Sequence, residues 1–86
     1  MMNPRAPFVI QLGAFANRAA AEKLQRDSMA KTAGAKLPPP LIVSTTDSKT
    51  GQGLFAVRVG PFINRADAET ARRRLQGAGT VMQGGM

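Results

Sequence analysis

Residues 13–22 (GAFANRAAAE) and residues 60–69 (GPFINRADAE) are identical at seven of ten positions, with an offset of 47 residues between them. Similarity of this kind indicates a duplicated supersecondary unit. A repeat array would need three or more such units, so a single repetition is better explained by two similar halves within one domain. We place the halves at residues 8–34 and 54–79.

A strand is predicted just before each of these stretches. Residues 8–12 (FVIQL) and 55–59 (FAVRV) alternate in the two-residue period of a strand that is buried on one side. The side that faces away from the phenylalanines carries one polar side chain in each half, Gln11 in the first and Arg58 in the second. Each strand is therefore expected to have an apolar face against a core and a face with polar character.

A helix follows each strand, at residues 18–33 and 65–76. Asn17 and Asn64 precede them, and the side-chain oxygen of an asparagine can accept a hydrogen bond from the first helical turn. Glycines near the ends, Gly34 and Gly77, favour termination. We expect three i, i+4 ion pairs on the exposed sides: Glu22 with Arg26, Lys23 with Asp27, and Glu69 with Arg73.

Two further strands complete the pattern. The prolines at 38–40 exclude a helix, and the β-branched residues 41–46 (LIVSTT) after them favour a strand. A polar turn leads from this strand to the second repeat, and a short strand at residues 80–83 follows the second helix. The order β-α-β-β-α-β predicts an α+β, ferredoxin-like (RNP-like) fold, with a four-stranded antiparallel sheet and two helices on one face. The domain spans residues 8–83, with tails at 1–7 and 84–86; the facing of strand 41–46 stays open.

Composition limits the possible functions. The chain has 86 residues, enough for one domain, and a formal net charge of +7, which favours an anionic partner or serves solubility. It contains no cysteine and no histidine, so disulfides, thiolate metal sites and the commonest general base are excluded. Its few acids stand where helix caps and surface pairs would place them. We expect neither an enzyme nor a metal or cofactor.

Gln11 and Arg58 are expected to lie side by side. In this topology the strands that carry them are neighbours at the centre of the sheet, and both side chains point away from the helices. An amide that donates and accepts, next to a guanidinium with a planar set of donors, would suit sugar hydroxyls, acetamido groups and a carboxylate. On the pattern alone, ordinary polar residues on a solvated sheet would look the same.

The two repeats resemble the SPOR domain family. Residues 10–21 (IQLGAFANRAAA) are similar to its "QLGSF…NRxxA" opening, and residues 58–68 (RVGPFINRADA) are similar to its "RVGPF…xRxxA" second half. The resemblance covers nearly the whole chain. It implies a β-α-β-β-α-β fold that binds peptidoglycan glycan strands denuded by amidases at bacterial division sites. It also implies a periplasmic or cell-envelope location within a longer exported or membrane-anchored protein, without membrane contact by the domain itself, which is expected to be a monomer.

The resemblance carries over to five positions as a glycan-binding site: Gln11, Gly13, Ala14, Arg58 and Pro61. Ala14 stands where many members of the family have serine, so a hydroxyl contact is lost, and Pro61 matches the proline that shapes the turn into the second helix. Many members also carry an aromatic residue on the open face, and this chain has no Trp or Tyr. Apolar contact is then expected from Val9, Leu54 or strand 41–46.

Two other functions compete with glycan binding. An RNA-recognition module shares the topology and would use the positive charge, but it needs aromatic residues on the two central strands. Those positions hold Gln11 and Gly13 in one strand and Ala56 and Arg58 in the other, so nucleic acid is not expected. A protein-binding adaptor would use the helical face, for example the arginines at 72–74, which more often form a solvated helix surface.

Overall fold

The structure is a computed structural model that describes residues 7–83. The six elements follow the predicted order. The strands are β1 (Phe8–Phe15), β2 (Leu41–Thr46), β3 (Gly53–Phe62) and β4 (Thr80–Gln83), and the helices are α1 (Arg18–Gly34) and α2 (Arg65–Arg74). The predicted tails lie outside the described residues except for Pro7.

The four strands form one antiparallel sheet in the order β2-β3-β1-β4. The strands that precede the two helices are therefore the central pair, and both helices pack on the same side of the sheet. This confirms the predicted fold class. The bounds of β2 and β4 match the prediction, whereas β1 and β3 each extend three residues past the alternating pattern, into the repeated motifs.

The core lies between the sheet and the helices. Ile10 and Val59 from the central strands pack with Ala71 and Leu75 from α2 and its end, and all four are buried. On α1 the buried face is made of small and polar residues, Ala21, Ser28 and Thr32. The Thr32 hydroxyl donates to the Met29 carbonyl at 3.0 Å, which satisfies the buried group. The result is a thin core, because four of its buried apolar residues are alanines, whose side chains add little volume.

Both helices begin at the predicted asparagines. Oδ1 of Asn17 accepts from the Ala19 amide at 2.7 Å, and Oδ1 of Asn64 accepts from the Asp67 amide at 2.8 Å. The predicted ends are less accurate. Helix α1 includes Gly34 and reverses at Lys36, which has a left-handed backbone (φ 60°). Helix α2 stops two residues earlier than predicted, because the left-handed residues Gln76 and Gly77 already turn the chain.

The ion pairs on the helices differ in part from the prediction. Lys23 pairs with Asp27 at 3.2 Å, as expected. Glu22 pairs with Arg18 rather than Arg26, and Glu69 pairs with Arg72 rather than Arg73. In both cases the carboxylate uses an arginine closer to the N-terminus than the predicted one. Each acid has two arginines within reach, at i−4 and i+4 for Glu22 and at i+3 and i+4 for Glu69, so a spacing rule does not choose between them.

Candidate functional site

The open face is the side of the sheet that turns away from the helices. The strand register assigns side chains to it, since residues paired across an antiparallel ladder point the same way. Val9 pairs with Met82, Gln11 pairs with both Arg58 and Thr80, and Leu41 pairs with Arg58. The residues of the open face are Val9, Gln11, Ala14, Leu41, Val43, Thr45, Leu54, Ala56, Arg58, Gly60, Thr80 and Met82.

Gln11 and Arg58 occupy the centre of the open face. They are direct partners in the β1–β3 ladder, and Nε of Arg58 donates to Oε1 of Gln11 at 2.9 Å. Both residues are half-buried. The predicted proximity of the amide and the guanidinium is therefore confirmed. The hydrogen bond joins two side chains that are 47 residues apart in sequence and holds them in one arrangement.

A β-bulge in β1 decides where Gly13 and Ala14 point. Gln11 pairs with Arg58 and Gly13 with Val57, so β1 carries one extra residue, Leu12, at this place. A β-carbon added at Gly13 would lie 2.9 Å from Cδ2 of Leu24, on the helix side. Gly13 is therefore not on the open face, contrary to the alternation used above, and could contribute there only through its backbone. The same shift turns Ala14 to the open face, where it is exposed.

A second bulge, in β3, places Gly60 and Pro61 opposite Val9 alone. Phe62 pairs with Phe8 and Val59 with Ile10, so two residues of β3 match one of β1. Proline in a strand is tolerated at such a bulge because it has no amide hydrogen to donate. Pro61 is exposed and lies within β3, just before the connection to α2, so its role in shaping the turn into α2 stays a prediction.

Val9 does not provide the apolar contact that the sequence suggested. Its side chain is 1% exposed, and its Cγ1 lies 3.3 Å from the point where a β-carbon of Gly60 would stand. Leu41 is the better candidate: it is 48% exposed and pairs with Arg58 across the β2–β3 ladder. The sequence could not choose Leu41, because the facing of β2 depends on its register with β3. Thr80 and Met82 on β4 were missed for the same reason.

The phenylalanines face the helices. Phe8 pairs with Phe62, which packs against the core, and Phe15 pairs with Phe55 beside the start of α1. Arginines at the helix starts cover two of the rings: the Arg65 guanidinium lies 5.3 Å from the Phe8 ring centre, and that of Arg18 lies 5.8 Å from the Phe55 ring centre. The chain has four phenylalanines and no Trp or Tyr, so the open face lacks the base-stacking rings of RNA-recognition modules.

Residues 7–83 contain neither a metal-binding cluster nor a helix that could span a membrane. No group of three or more His, Cys, Asp or Glu side chains there could hold a metal ion. Neither of the two described helices combines the length and the apolar character needed to cross a membrane.

Comparisons with known proteins agree with this architecture. The family model described as "SPOR domain" matches residues 4–83. A crystal structure of the SPOR domain of RlpA from Pseudomonas aeruginosa superposes with a TM-score of 0.62 at 29% sequence identity, covering 88% of this chain and 97% of that one. No curated protein sequence matches the chain significantly.

Proposed function

The chain belongs to the SPOR domain family, and on that premise we propose that its open face binds peptidoglycan glycan strands from which the peptides have been removed. Family membership and the likeness to the RlpA domain support a peptidoglycan-binding module. The Gln11–Arg58 pair is the observation that carries the proposal, because it places a polar contact point at the middle of an otherwise mainly apolar and neutral surface.

The chemistry of the pair suits an amino-sugar polymer. A glutamine amide can donate and accept, so it can match hydroxyl and acetamido groups of a sugar. A guanidinium is planar and matches a carboxylate better than an ammonium does. The bond between Gln11 and Arg58 fixes both groups before any ligand arrives, and an already ordered site loses less side-chain entropy on binding.

A preference for peptide-free strands follows from the same pair. In intact peptidoglycan the lactyl group of the sugar is joined to the peptide through an amide. Removal of the peptide leaves a lactyl carboxylate, which gives the Arg58 guanidinium an anionic partner. It also removes a bulky branch, so the glycan can lie closer to the sheet. We therefore assign the preference to charge and to access together.

Leu41 and Val43 extend the site onto β2. Both lie on the open face, with Leu41 beside Arg58 and Val43 beside Ala56. Their side chains can cover the apolar side of a sugar ring, the part that an aromatic residue takes in many relatives. Ala14, Pro61 and the Gly13 backbone would border the site at the two bulges. This surface replaces the contribution that the sequence assigned to Val9.

Within a bacterium, we propose that the domain acts in the periplasm or elsewhere in the cell envelope. It would direct a longer exported or membrane-anchored protein to the division site, where peptide-free strands are produced. Its own part is binding without catalysis, and it requires no cofactor. A monomer suffices, because one copy of the open face contains the whole proposed site.

A co-sedimentation assay tests the proposal. The domain should pellet with sacculi treated with an amidase and much less with intact sacculi. Arg58→Ala and Gln11→Ala should each weaken pelleting while leaving the circular dichroism spectrum unchanged. Arg73→Ala is the matched control, because it removes the same charge from the exposed surface of α2.

Equal pelleting with treated and intact sacculi would contradict the preference for peptide-free strands. Unchanged pelleting by both site variants would remove the Gln11–Arg58 pair from the site. Tight RNA binding that survives Arg73→Ala and is lost in Arg58→Ala would favour the RNA-recognition alternative instead.

A further inference from the structure

A cleft lies on the helical side of the domain, away from the open face. Its volume is about 580 Å³, and it is formed where the end of α1 and the turn after it meet the end of α2. The lining residues are Lys31, Gly34, Ala35, Lys36, Arg74, Leu75 and Gln76. The lining thus combines three cations with the half-buried Ala35 and the buried Leu75, and it contains no acidic residue.

The three cations of the cleft are not neutralised by the part of the chain that the structure describes. The ion pairs there use Arg18, Lys23 and Arg72. Lys31, Lys36 and Arg74 form neither an ion pair nor a side-chain hydrogen bond among residues 7–83. Arg72 also donates to the Gly77 carbonyl at 3.1 Å. Of the arginines at 72–74, only Arg74 lines the cleft.

Hydrogen bonding to the terminal carbonyls does not account for the three cations. Lysine and arginine are common there because they can donate to the last carbonyls and offset the helix dipole. Here backbone amides already serve the terminal carbonyls. At α1, the amides of Ala35, Lys36 and Leu37 donate to the carbonyls of Lys31, Ala33 and Thr32. At α2, the amides of residues 75–77 do the same for the carbonyls of Ala71, Arg72 and Arg73.

We propose that this cleft, which we call the basic cleft, binds an acidic peptide segment of a partner protein, in which carboxylates flank an apolar residue. The carboxylates would meet Lys31, Lys36 and Arg74, and the apolar side chain would contact Ala35 and the aliphatic stems of these cations. Charge complementarity supports this occupant, because the cations surround a concavity with an apolar lining. A membrane surface would be met better by cations on a convex face, and nucleic acid by base-stacking aromatics, which the cleft lacks.

Fluorescence anisotropy with a short labelled peptide tests the basic cleft. The probe carries glutamates on both sides of a leucine, and the comparison peptide carries glutamines in their place. We expect the wild-type domain to bind the glutamate peptide in preference. The triple variant Lys31→Gln, Lys36→Gln, Arg74→Gln should bind it about tenfold more weakly or worse, as expected when three exposed charge pairs are lost together.

The control is a triple variant of equal charge, Arg26→Gln, Lys49→Gln, Arg73→Gln, altered at exposed residues outside the cleft. It should keep most of the affinity. Equal losses in both triple variants would overturn the proposal, because long-range charge would then explain the binding. No preference of the wild type for the glutamate peptide would also overturn it. So would loss of binding to phosphatidylglycerol vesicles in the cleft variant together with unchanged peptide binding.

The outcome is separable from that for the glycan. The cleft variant should pellet with amidase-treated sacculi like the wild type, and Arg58→Ala should bind the peptide like the wild type. Loss of both activities in either variant would mean that the two surfaces are not independent, which contradicts the assignment of a second site.

Discussion

Gly79 lies immediately before β4, where the chain passes very close to the central strand β1. Its backbone is left-handed (φ 83°), and a β-carbon there would lie 2.8 Å from the Gln11 carbonyl oxygen and 2.8 Å from Cγ2 of Ile10. The first of these atoms belongs to the backbone of the central strand and cannot move aside alone. The residue before β4 must therefore be glycine if β4 is to pair with β1 directly under the core.

We predict that Gly79→Ala destabilises the domain by about 2 kcal/mol or more, from left-handed strain together with overpacking. Gly34→Ala is the control, since nothing lies within 4 Å of a β-carbon at Gly34. It should be neutral or stabilising by up to about 1 kcal/mol, because alanine is the better helix former. Urea unfolding followed by circular dichroism measures both. A Gly79→Ala variant as stable as Gly34→Ala would contradict this account of the close approach.

For single residues, the sequence predicted the Gln11–Arg58 pair correctly but did not predict for every residue which side of the sheet its side chain occupies. Alternation correctly placed Gln11 and Arg58 on one face, because no extra residue interrupts residues 8–11 of β1 or residues 55–59 of β3. It failed for Gly13 and Ala14, where one extra residue in β1 reverses the facing of those that follow. The signal was present in part, since glycine within a strand often marks a bulge. The pattern did not show which residue was the extra one.

Strand β2, at the edge of the sheet, adds apolar side chains to the open face. Its partner β3 begins the second half of the repeat. The register between the two strands decides that Leu41 and Val43 lie on the open face while Ile42 faces the helices. Gln25 on α1 fixes the start of β2 from the other side, because its amide donates to the Pro40 carbonyl at 3.0 Å. The sequence predicted the bounds of this strand correctly. Its facing could not be predicted, since several registers would satisfy the same β-branched run.

We predict that Leu41→Ala weakens binding to amidase-treated sacculi by about threefold to tenfold, the effect of losing roughly 1 kcal/mol of apolar contact. The stability of the domain should change little, because nearly half of this side chain is exposed in the free domain. Ile63→Ala is the control: Ile63 is 86% exposed and lies in the connection before α2, outside the open face. Equal effects of the two substitutions would exclude β2 from the site.

The positive charge of the molecule is distributed unevenly over its surface. The open face carries Arg58 amid neutral side chains, whereas the basic cleft and the helix surfaces hold many of the other cations. The net charge of +7 was visible in the sequence, but its distribution depends on which helix faces are exposed. The fold class, by contrast, followed from the repeat and its alternating strands, because a duplicated β-α unit with a further strand after each helix permits few arrangements.

This distribution predicts a shallow salt dependence for glycan binding. One guanidinium on the open face meets few ligand charges, so affinity for peptide-free glycan should fall less than about tenfold between 50 and 200 mM salt. Nucleic-acid binding that neutralises many phosphates would fall by about a thousandfold or more over that range. Sedimentation at several salt concentrations measures the slope. A steep slope would indicate that the overall positive charge, rather than the open face, holds the glycan.

We propose that the glycan lies on the open face, across β1, β3 and β2. Amide chemical-shift mapping by NMR, with a soluble peptide-free glycan fragment as the titrant, would locate the bound glycan on the domain. We expect the largest shifts around Gln11, Arg58 and Leu41, with small shifts in α1 and α2. Shifts concentrated on the helices or around the basic cleft, with the three sheet residues unmoved, would contradict it.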